Sequence, residues 1–248
     1  MAPYALVIAE DNPKDFEFLK QMVEAWVQDC TMEHADNGAV ALELALKHDE
    51  PLVISDIQMP QMNGVEFARA LWEQKPQARI VFWSQFKDEM YVRALSKIVP
   101  PETVYGYVLK SSAREKISTA MATVLFEDQC WIDPEVRKVQ GRTGHSQTAL
   151  SDIEYEALVD ISLGLTDNLI AQRRYLSRRG VQSRLNSLYG KLSLDQEQFQ
   201  SDKVGDAFNL RNRAVAVALR RGLINAFEFE HEDDDLQEWL KRYKSGRG

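Results

Sequence analysis

Residues 53–64 read VISDIQMPQMNG, and the way this stretch is taken decides the fold of the first half of the chain. An apolar run ends on a carboxylate, Asp56, and the chain then meets Pro60 and Gly64, both of which break regular structure. Alone, this is a strand finishing in a polar turn, where Asp is common. Its surroundings give it more weight. YALVIAED (4–11), PLVISD (51–56), ARIVFWS (78–84) and VYGYVLK (104–110) are strand-like runs. Each is followed by a segment with apolar residues at helical spacing: DFEFLKQMVEAW, VEFARALWEQ, EMYVRALSKIV and SAREKISTAMATVLFE. A shorter run around TMEHADN (31–37) supplies another strand. Five runs alternating with helices predict a doubly wound, parallel five-stranded sheet covered on both faces. Asp56 then stands at the carboxyl end of its third strand.

The remainder of the chain reads differently. Residues 127–149 predict a linker, with WIDPEV as a short ordered piece and GRTGHSQT small, polar and Gly-containing. From Leu150 onward the periodicity is helical. With 248 residues and 44% hydrophobic composition the chain can form real cores, which excludes a wholly disordered protein. No apolar run approaches the roughly 20 residues that span a bilayer. The opening MAPYALVIAED lacks the features of a signal peptide, so a soluble, cytoplasmic protein without a membrane partner is expected. Cys30 and Cys130 are far apart and have no Cys or His at metal-ligand spacing, against a disulfide framework or a zinc site. The net charge of −8 is unevenly spread. Residues 170–193 hold Arg173, Arg174, Arg178, Arg179, Arg184 and Lys191 and no acid, a local asymmetry that a phosphate backbone would feel more than the distant net charge.

In an open parallel sheet, ligands bind outside the carboxyl ends of the strands. There the sequence puts Glu10 and Asp11 after the first strand, Asp56 after the third, Ser84 after the fourth and Lys110 after the fifth. Three crowded acids repel one another unless a cation sits among them, and Mg²⁺, a hard dication that keeps several waters, suits such a cluster. A lysine and a hydroxyl beside it supply charge and a hydrogen bond to an anion that also touches the metal.

These residues together resemble the receiver domain of two-component response regulators. The acidic pair Glu10–Asp11, the D-x-x-M-P-x-x-x-G pattern of Asp56, Met59, Pro60 and Gly64, then Ser84 and Lys110, carry the resemblance over roughly residues 4–126. It implies a flavodoxin-like receiver over residues 1–126 and a histidine kinase as phosphodonor. Asp56 would be the phosphoacceptor, Glu10, Asp11 and Asp56 the metal carboxylates, and the Met59 backbone carbonyl a further metal ligand. Tyr107 matches the aromatic that family members swing inward when the hydroxyl, here Ser84, engages the phosphoryl group. Two departures stand out: Ser111 follows Lys110 where many receivers have Pro, and SKIVPPETV lengthens the interval between Ser84 and Lys110.

In residues 150–192 Gly164 ends one predicted helix, Thr166 or Asp167 starts a second, and a third follows a turn near Leu176 and Ser177. Val181, Leu185, Leu188 and Leu192 make one buried stripe on that third helix. Gln182, Ser183, Asn186 and Lys191 lie opposite, with Arg178 and Arg179 at the N-terminal end. Amide and hydroxyl side chains read base edges and Arg/Lys meet phosphates, the layout of a helix-turn-helix. The stretch resembles the LuxR-type output domain of the NarL/FixJ subfamily, through Leu150–Ser151, Glu156, Leu158, Gly164, Ile170–Ala171, Val181, Leu188-Tyr189-x-Lys191-Leu192, and Arg211, Ala214 and Val215. It implies an all-α helix-turn-helix domain over 150–226 that binds double-stranded DNA and forms a homodimer when active. Gly180, Arg184 and Arg174 replace the usual Thr, His and buried Leu, and an insertion falls near 193–210. An acidic C-terminal tail, 227–248, carries EFEHEDDD followed by Leu236, Trp239, Leu240 and Tyr243 at helical spacing. It is expected to compete with DNA for Arg178, Arg179 and Lys191.

The function expected is a phosphorylation-controlled transcription regulator, not an enzyme. The alternative is a receiver-bearing adaptor whose helical half binds RNA polymerase or another protein, such as a sigma factor. An unphosphorylated pseudo-receiver is disfavoured, because every site residue is present.

Overall fold

A computed structural model describes residues 4–25, 27, 30–85, 89–145, 150–194, 209–224 and 226–245, without the side chains of 89, 142–145, 226–228, 230 and 231. The chain divides into two compact units, one built essentially on residues up to Lys138 and the other on residues from Val139. No helix among the described residues is long and apolar enough to cross a membrane.

In the first unit strands and helices alternate: β1 (Tyr4–Ala9), α1 (Pro13–Glu24), β2 (Cys30–Ala35), α2 (Gly38–Ala45), β3 (Leu52–Ser55), α3 (Gly64–Gln74), β4 (Arg79–Ser84), α4 (Glu89–Ile98), β5 (Tyr105–Leu109) and α5 (Arg114–Phe126). The strand order is β2-β1-β3-β4-β5-β6, every pairing parallel, where β6 is Trp131–Ile132. All four residues of β3 are buried, as are Leu6 to Ala9 of β1, because helices cover both faces.

The sheet therefore has six strands, one more than expected, and the predicted linker is ordered over Trp131 and onward into α6 (Pro134–His145). Two residues are too few to show a strand period. β6 exists because the β5 edge offers it a ladder: Gly106 pairs with Trp131, Tyr107 with Ile132, and the Asp133 N–H donates to Tyr107 O at 2.8 Å. Asp133 anchors the segment, accepting from Ser112 Oγ (2.9 Å), Lys116 Nζ (2.7 Å) and the Glu135 N–H (3.0 Å). Residues 146–149 of the predicted linker lie outside the described residues.

The long interval before β5 also has a place. After α4 the chain turns at Pro100–Thr103, and the Thr103 hydroxyl donates to Pro76 O at 2.6 Å, just ahead of β4.

The second unit is helical: α7 (Asp152–Ser162), α8 (Asp167–Arg173), α9 (Arg178–Lys191), α10 (Leu210–Arg221) and α11 (Ala226–Ser245). Ser151 caps α7 in a reciprocal capping box with Glu154, and Thr166 and Ser177 cap α8 and α9. Leu158, Ile170, Val181, Leu185, Leu188 and Val217 form its core. The expected acidic tail is instead the helix α11. Its Leu236 is buried in that core, and Phe229, Trp239 and Leu240 pack against it, so the apolar stripe outweighs the solvation of the acidic run. The bulk of the predicted insertion, residues 195–208, lies outside the described residues; Leu194 before it is buried and Asn209 after it caps α10.

Candidate functional site

The loop between β3 and α3 is built around Asp56. Its N–H donates to Ala9 O at 2.8 Å, which brings the ends of β1 and β3 together. Three features then turn the chain back towards α3. Gln61 takes a left-handed φ of 65°, Asn63 caps the helix in a capping box with Glu66, and the Gly64 N–H returns to Ile57 O at 2.8 Å. A Cβ on Gly64 would lie 2.1 Å from Asp56 O, so the close approach requires glycine there. Asp56 is thereby held at the sheet edge, 8% exposed.

Around it the strand ends deliver the other side chains. Asp56 Oδ1 accepts from the Ile57 N–H at 2.6 Å and more weakly from Gln58 N at 3.4 Å, while Oδ2 accepts from Lys110 Nζ at 2.8 Å. Lys110 also reaches Glu10 Oε2 (2.7 Å) and Asp15 Oδ2 (2.8 Å), and its N–H is paired to Ser84 O at 2.8 Å. The Trp83 ring lies 4.7 Å from the ammonium. Ser84 is fully buried at the end of β4, Met59 is buried in the loop, and Tyr107 is buried with its ring tilted against Phe82.

Among the described residues one ammonium faces three carboxylates, an electrostatically unbalanced arrangement. Burial, with the Asp56 charge adding to it, pushes Glu10 up to about 7 although Lys110 pulls the other way. Burial likewise raises Asp56 against the opposing influence of Lys110. Lys110 would be lowered by burial, but Asp56, Asp15 and Glu10 more than offset this and hold it above its ordinary value. Glu10, Asp11 and Asp56 each bring a carboxylate oxygen within 4.8 Å of the others, with Asp11 exposed. An all-oxygen, partly solvated donor set whose buried members resist ionisation fits a hard dication such as Mg²⁺.

In the second unit, α9 buries Val181, Leu185 and Leu188 and exposes Arg178, Arg179, Gln182, Ser183 and Asn186. Lys191 is not on that open face. Its ammonium reaches Glu154 Oε2 at 2.7 Å, and Ser187 donates to Oε1 of the same carboxylate at 2.6 Å. A capping glutamate of α7 so fixes α9, and Lys191, expected to contact phosphate, is paired to it with 28% of its side chain exposed.

Arg174, which stands where a buried Leu is expected, has a partner: the fully buried Asp160 accepts from its Nε (2.9 Å) and Nη2 (3.1 Å), and from Arg173 Nη1 (3.0 Å). Arg173 also faces Glu232 of α11 at 3.5 Å. Among the described side chains, the acidic segment is therefore docked within the unit through Glu232 on α8, rather than on the expected Arg178, Arg179 and Lys191.

Sequence reasoning missed Asp15, Glu154 and Asp160. Asp15 had a usable signal, since a carboxylate in the first turn of α1, four residues past Asp11, stays at the same sheet edge. For Glu154 and Asp160 the signal was only a capping pattern and an arginine out of place.

Residues 6–122 match the family model described as the response regulator receiver domain. Along most of its length the chain is similar to the transcriptional regulatory protein YdfI of Bacillus subtilis (strain 168), 25% identical over 88% of this chain and 97% of the relative. It is similar also to the nitrate/nitrite response regulator protein NarL of Escherichia coli (strain K12), 26% identical over 77% of this chain and 90% of that protein. Among solved structures, the two-component response regulator RcsB in its DNA complex shares the fold, with a TM-score of 0.55, 19% identity and coverage of 76% of this chain and 91% of the other.

Proposed function

The chain is a response regulator of the NarL type, with a receiver domain at residues 6–122, and on that premise we propose that Asp56 accepts a phosphoryl group from a histidine kinase and thereby controls DNA binding and transcription. The observation that carries this is the Asp56 carboxylate, which backbone N–H groups and Lys110 orient at the convergence of Glu10 and Asp11.

In the transfer, a carboxylate oxygen of Asp56 forms the new P–O bond as the P–N bond of the phosphohistidine breaks, and the electron pair leaves with the imidazole. Phosphoryl transfer asks mainly for positioning and charge neutralisation. Mg²⁺, held by Glu10, Asp11, Asp56 and the Met59 carbonyl, would neutralise the phosphoryl oxygens. Lys110 donates to a phosphoryl oxygen from its place beside Asp56. Ser84 engages the phosphoryl group, and Tyr107 fills the space behind it.

The output reading rests on the open face of α9. Gln182, Ser183 and Asn186 would meet base edges and Arg178 and Arg179 phosphates, in a homodimer on double-stranded DNA. Lys191, committed to Glu154, is left out of this set. That loss of one basic contact favours keeping the adaptor alternative, in which this face binds RNA polymerase or another protein.

Incubation with acetyl phosphate and Mg²⁺ should add one phosphoryl group to the wild type and none to Asp56→Asn; equal labelling of the two would remove the assignment. Gln182→Ala or Asn186→Ala should cost about 1–3 kcal/mol on target DNA and relax sequence preference. Arg178→Ala should weaken binding to all duplexes and flatten the salt slope. Binding of these variants identical to wild type would hand the case to the adaptor.

A further inference from the structure

Lys110 has three N–H donors, and each is directed at a different carboxylate: Glu10 (2.7 Å), Asp15 (2.8 Å) and Asp56 (2.8 Å). The three acceptors are not equivalent. Glu10 and Asp56 belong, with Asp11, to the carboxylate group that converges closely enough to share one cation, and Asp15 does not. Asp15 comes from a different element, the first turn of α1. That turn is fixed by Pro13 and by the Asn12 side chain, which caps the helix through the Lys14 N–H at 3.0 Å. Asp15 keeps 27% of its side chain exposed, whereas the Glu10 carboxylate is fully buried. A flexible ammonium with only Glu10 and Asp56 as counter-charges would sit on the oxygens that a cation and a phosphoryl group need. With a third carboxylate outside that set, the lysine keeps a counter-charge when the other two are engaged.

We infer that Asp15 is a positioning residue for Lys110, the carboxylate that holds the ammonium beside Asp56 while Glu10 and Asp56 engage cation and phosphoryl group. It acts through Lys110 and touches no reacting atom. The inference rests on the phosphoacceptor reading of Asp56 given above, and it carries a sign that simple electrostatics does not. Removing a negative charge near an anionic donor should speed phosphorylation; releasing a positioned lysine should slow it.

The test uses the full chain with acetyl phosphate at saturating Mg²⁺ and follows the rate at which Asp56 is labelled. Asp15→Ala should slow labelling on the order of tenfold, less than the roughly hundredfold that a 1 Å misplacement can cost. In a Lys110→Ala background the same substitution should change nothing further, because the effect travels through that lysine. Unchanged or faster labelling in Asp15→Ala, or an undiminished effect in the Lys110→Ala background, overturns the inference.

A second measurement needs no donor. The Lys110 ammonium sits 4.7 Å from the Trp83 ring, so displacing it alters Trp83 emission. The chain has five tryptophans, so the Trp83 signal is taken as the difference from Trp83→Phe counterparts. Asp15→Ala should shift that signal in the direction Lys110→Ala does, and identical emission with and without the Asp15 carboxylate overturns the inference. If the wild type takes no phosphoryl group at Asp56, the phosphoacceptor reading falls, and the Trp83 measurement still decides whether Asp15 holds Lys110.

Discussion

Glu10 and Glu154 are both buried glutamates gripping a lysine at 2.7 Å, yet their environments drive them in opposite directions. Glu10 is pushed up to about 7 by burial, with the Asp56 charge adding to it, and Glu154 is held down at about 2. The difference lies in the donors. Burial would raise Glu154 too, but Lys191, Ser187 and the Ser151 hydroxyl and N–H all point at it and outweigh the desolvation. Glu10 receives Lys110 and the Asn12 N–H (3.2 Å), and it shares that lysine with Asp15 and Asp56. One carboxylate is a finished joint between α7 and α9. The other sits where, among the described residues, one ammonium serves three carboxylates, which is the condition of a site built to receive a cation and an anion together. The contrast separates scaffold from working surface on physical grounds.

The largest effect should come from breaking the finished joint. Glu154→Ala removes the carboxylate that Lys191, Ser187 and Ser151 share and uncaps α7, and losing a charge-assisted hydrogen bond together with a cap costs roughly 2–4 kcal/mol. Chemical denaturation of the C-terminal unit should show it. The pH course has a definite sign. The folded value of about 2 lies below the ordinary 4.5, so the stabilisation is present above 4.5 and is lost as pH falls towards 2. An acid midpoint unchanged by Glu154→Gln would mean that the four donors are not gripping the carboxylate.

The opposite behaviour belongs to Glu10. Its folded value of about 7 lies above the ordinary 4.5, so the metal-free receiver is favoured while Glu10 holds its proton, and it loses that contribution as pH rises from 4.5 through 7. With chelator present at pH 8, Glu10→Gln should therefore stabilise the receiver by about 2 kcal/mol, discounted from the full shift because Lys110 can re-aim. Added Mg²⁺ should then raise the melting temperature of the wild type and leave the variant unmoved. A variant less stable than wild type in chelator would erase the contrast between the two glutamates.

What could be read from the sequence follows the same division. Asp56, Glu10, Asp11, Ser84 and Lys110 were legible because each ends a strand, and the strand period is a local signal that fixes which edge they share. Gly64 was legible as a break, although its reason, the 2.1 Å approach to Asp56 O, is tertiary. Arg174 was visible as a departure; its partner Asp160 lies fourteen residues earlier on another helix, a pairing that no local pattern reports. The partner of Lys191 was hidden for the same reason, since helical periodicity places the lysine on the polar face without revealing Glu154 opposite. β6 was too short for a period, and the acids of α11 masked the apolar stripe that docks it.

The smallest prediction concerns how the helices of the second unit end. α7 and α10 stop at glycines in the left-handed region, Gly164 at φ 78° and Gly222 at φ 66°. The following N–H in each case reaches back, Leu165 to Asp160 O at 3.1 Å and Leu223 to Ala218 O at 3.0 Å. α8 ends the same way, with Leu176 N–H on Ala171 O at 2.7 Å, but the left-handed residue is Tyr175 at φ 53°, with 94% of its surface exposed. A tyrosine there carries backbone strain and gains little burial, so the scaffold alone gives no reason for it. Tyr175→Gly should raise stability by about 0.5–1 kcal/mol, reduced from the full strain by the extra freedom glycine has when unfolded. Gly164→Ala is the mirror experiment: a Cβ there meets nothing within 4 Å, so a loss of about 1 kcal/mol would isolate the cost of the left-handed backbone. Both changes are read from the thermal midpoint of the full chain. If Gly164→Ala proves destabilising while Tyr175→Gly is neutral, the tyrosine is relieved by a contact of its own. The turn before α9 would then belong with the satisfied scaffold.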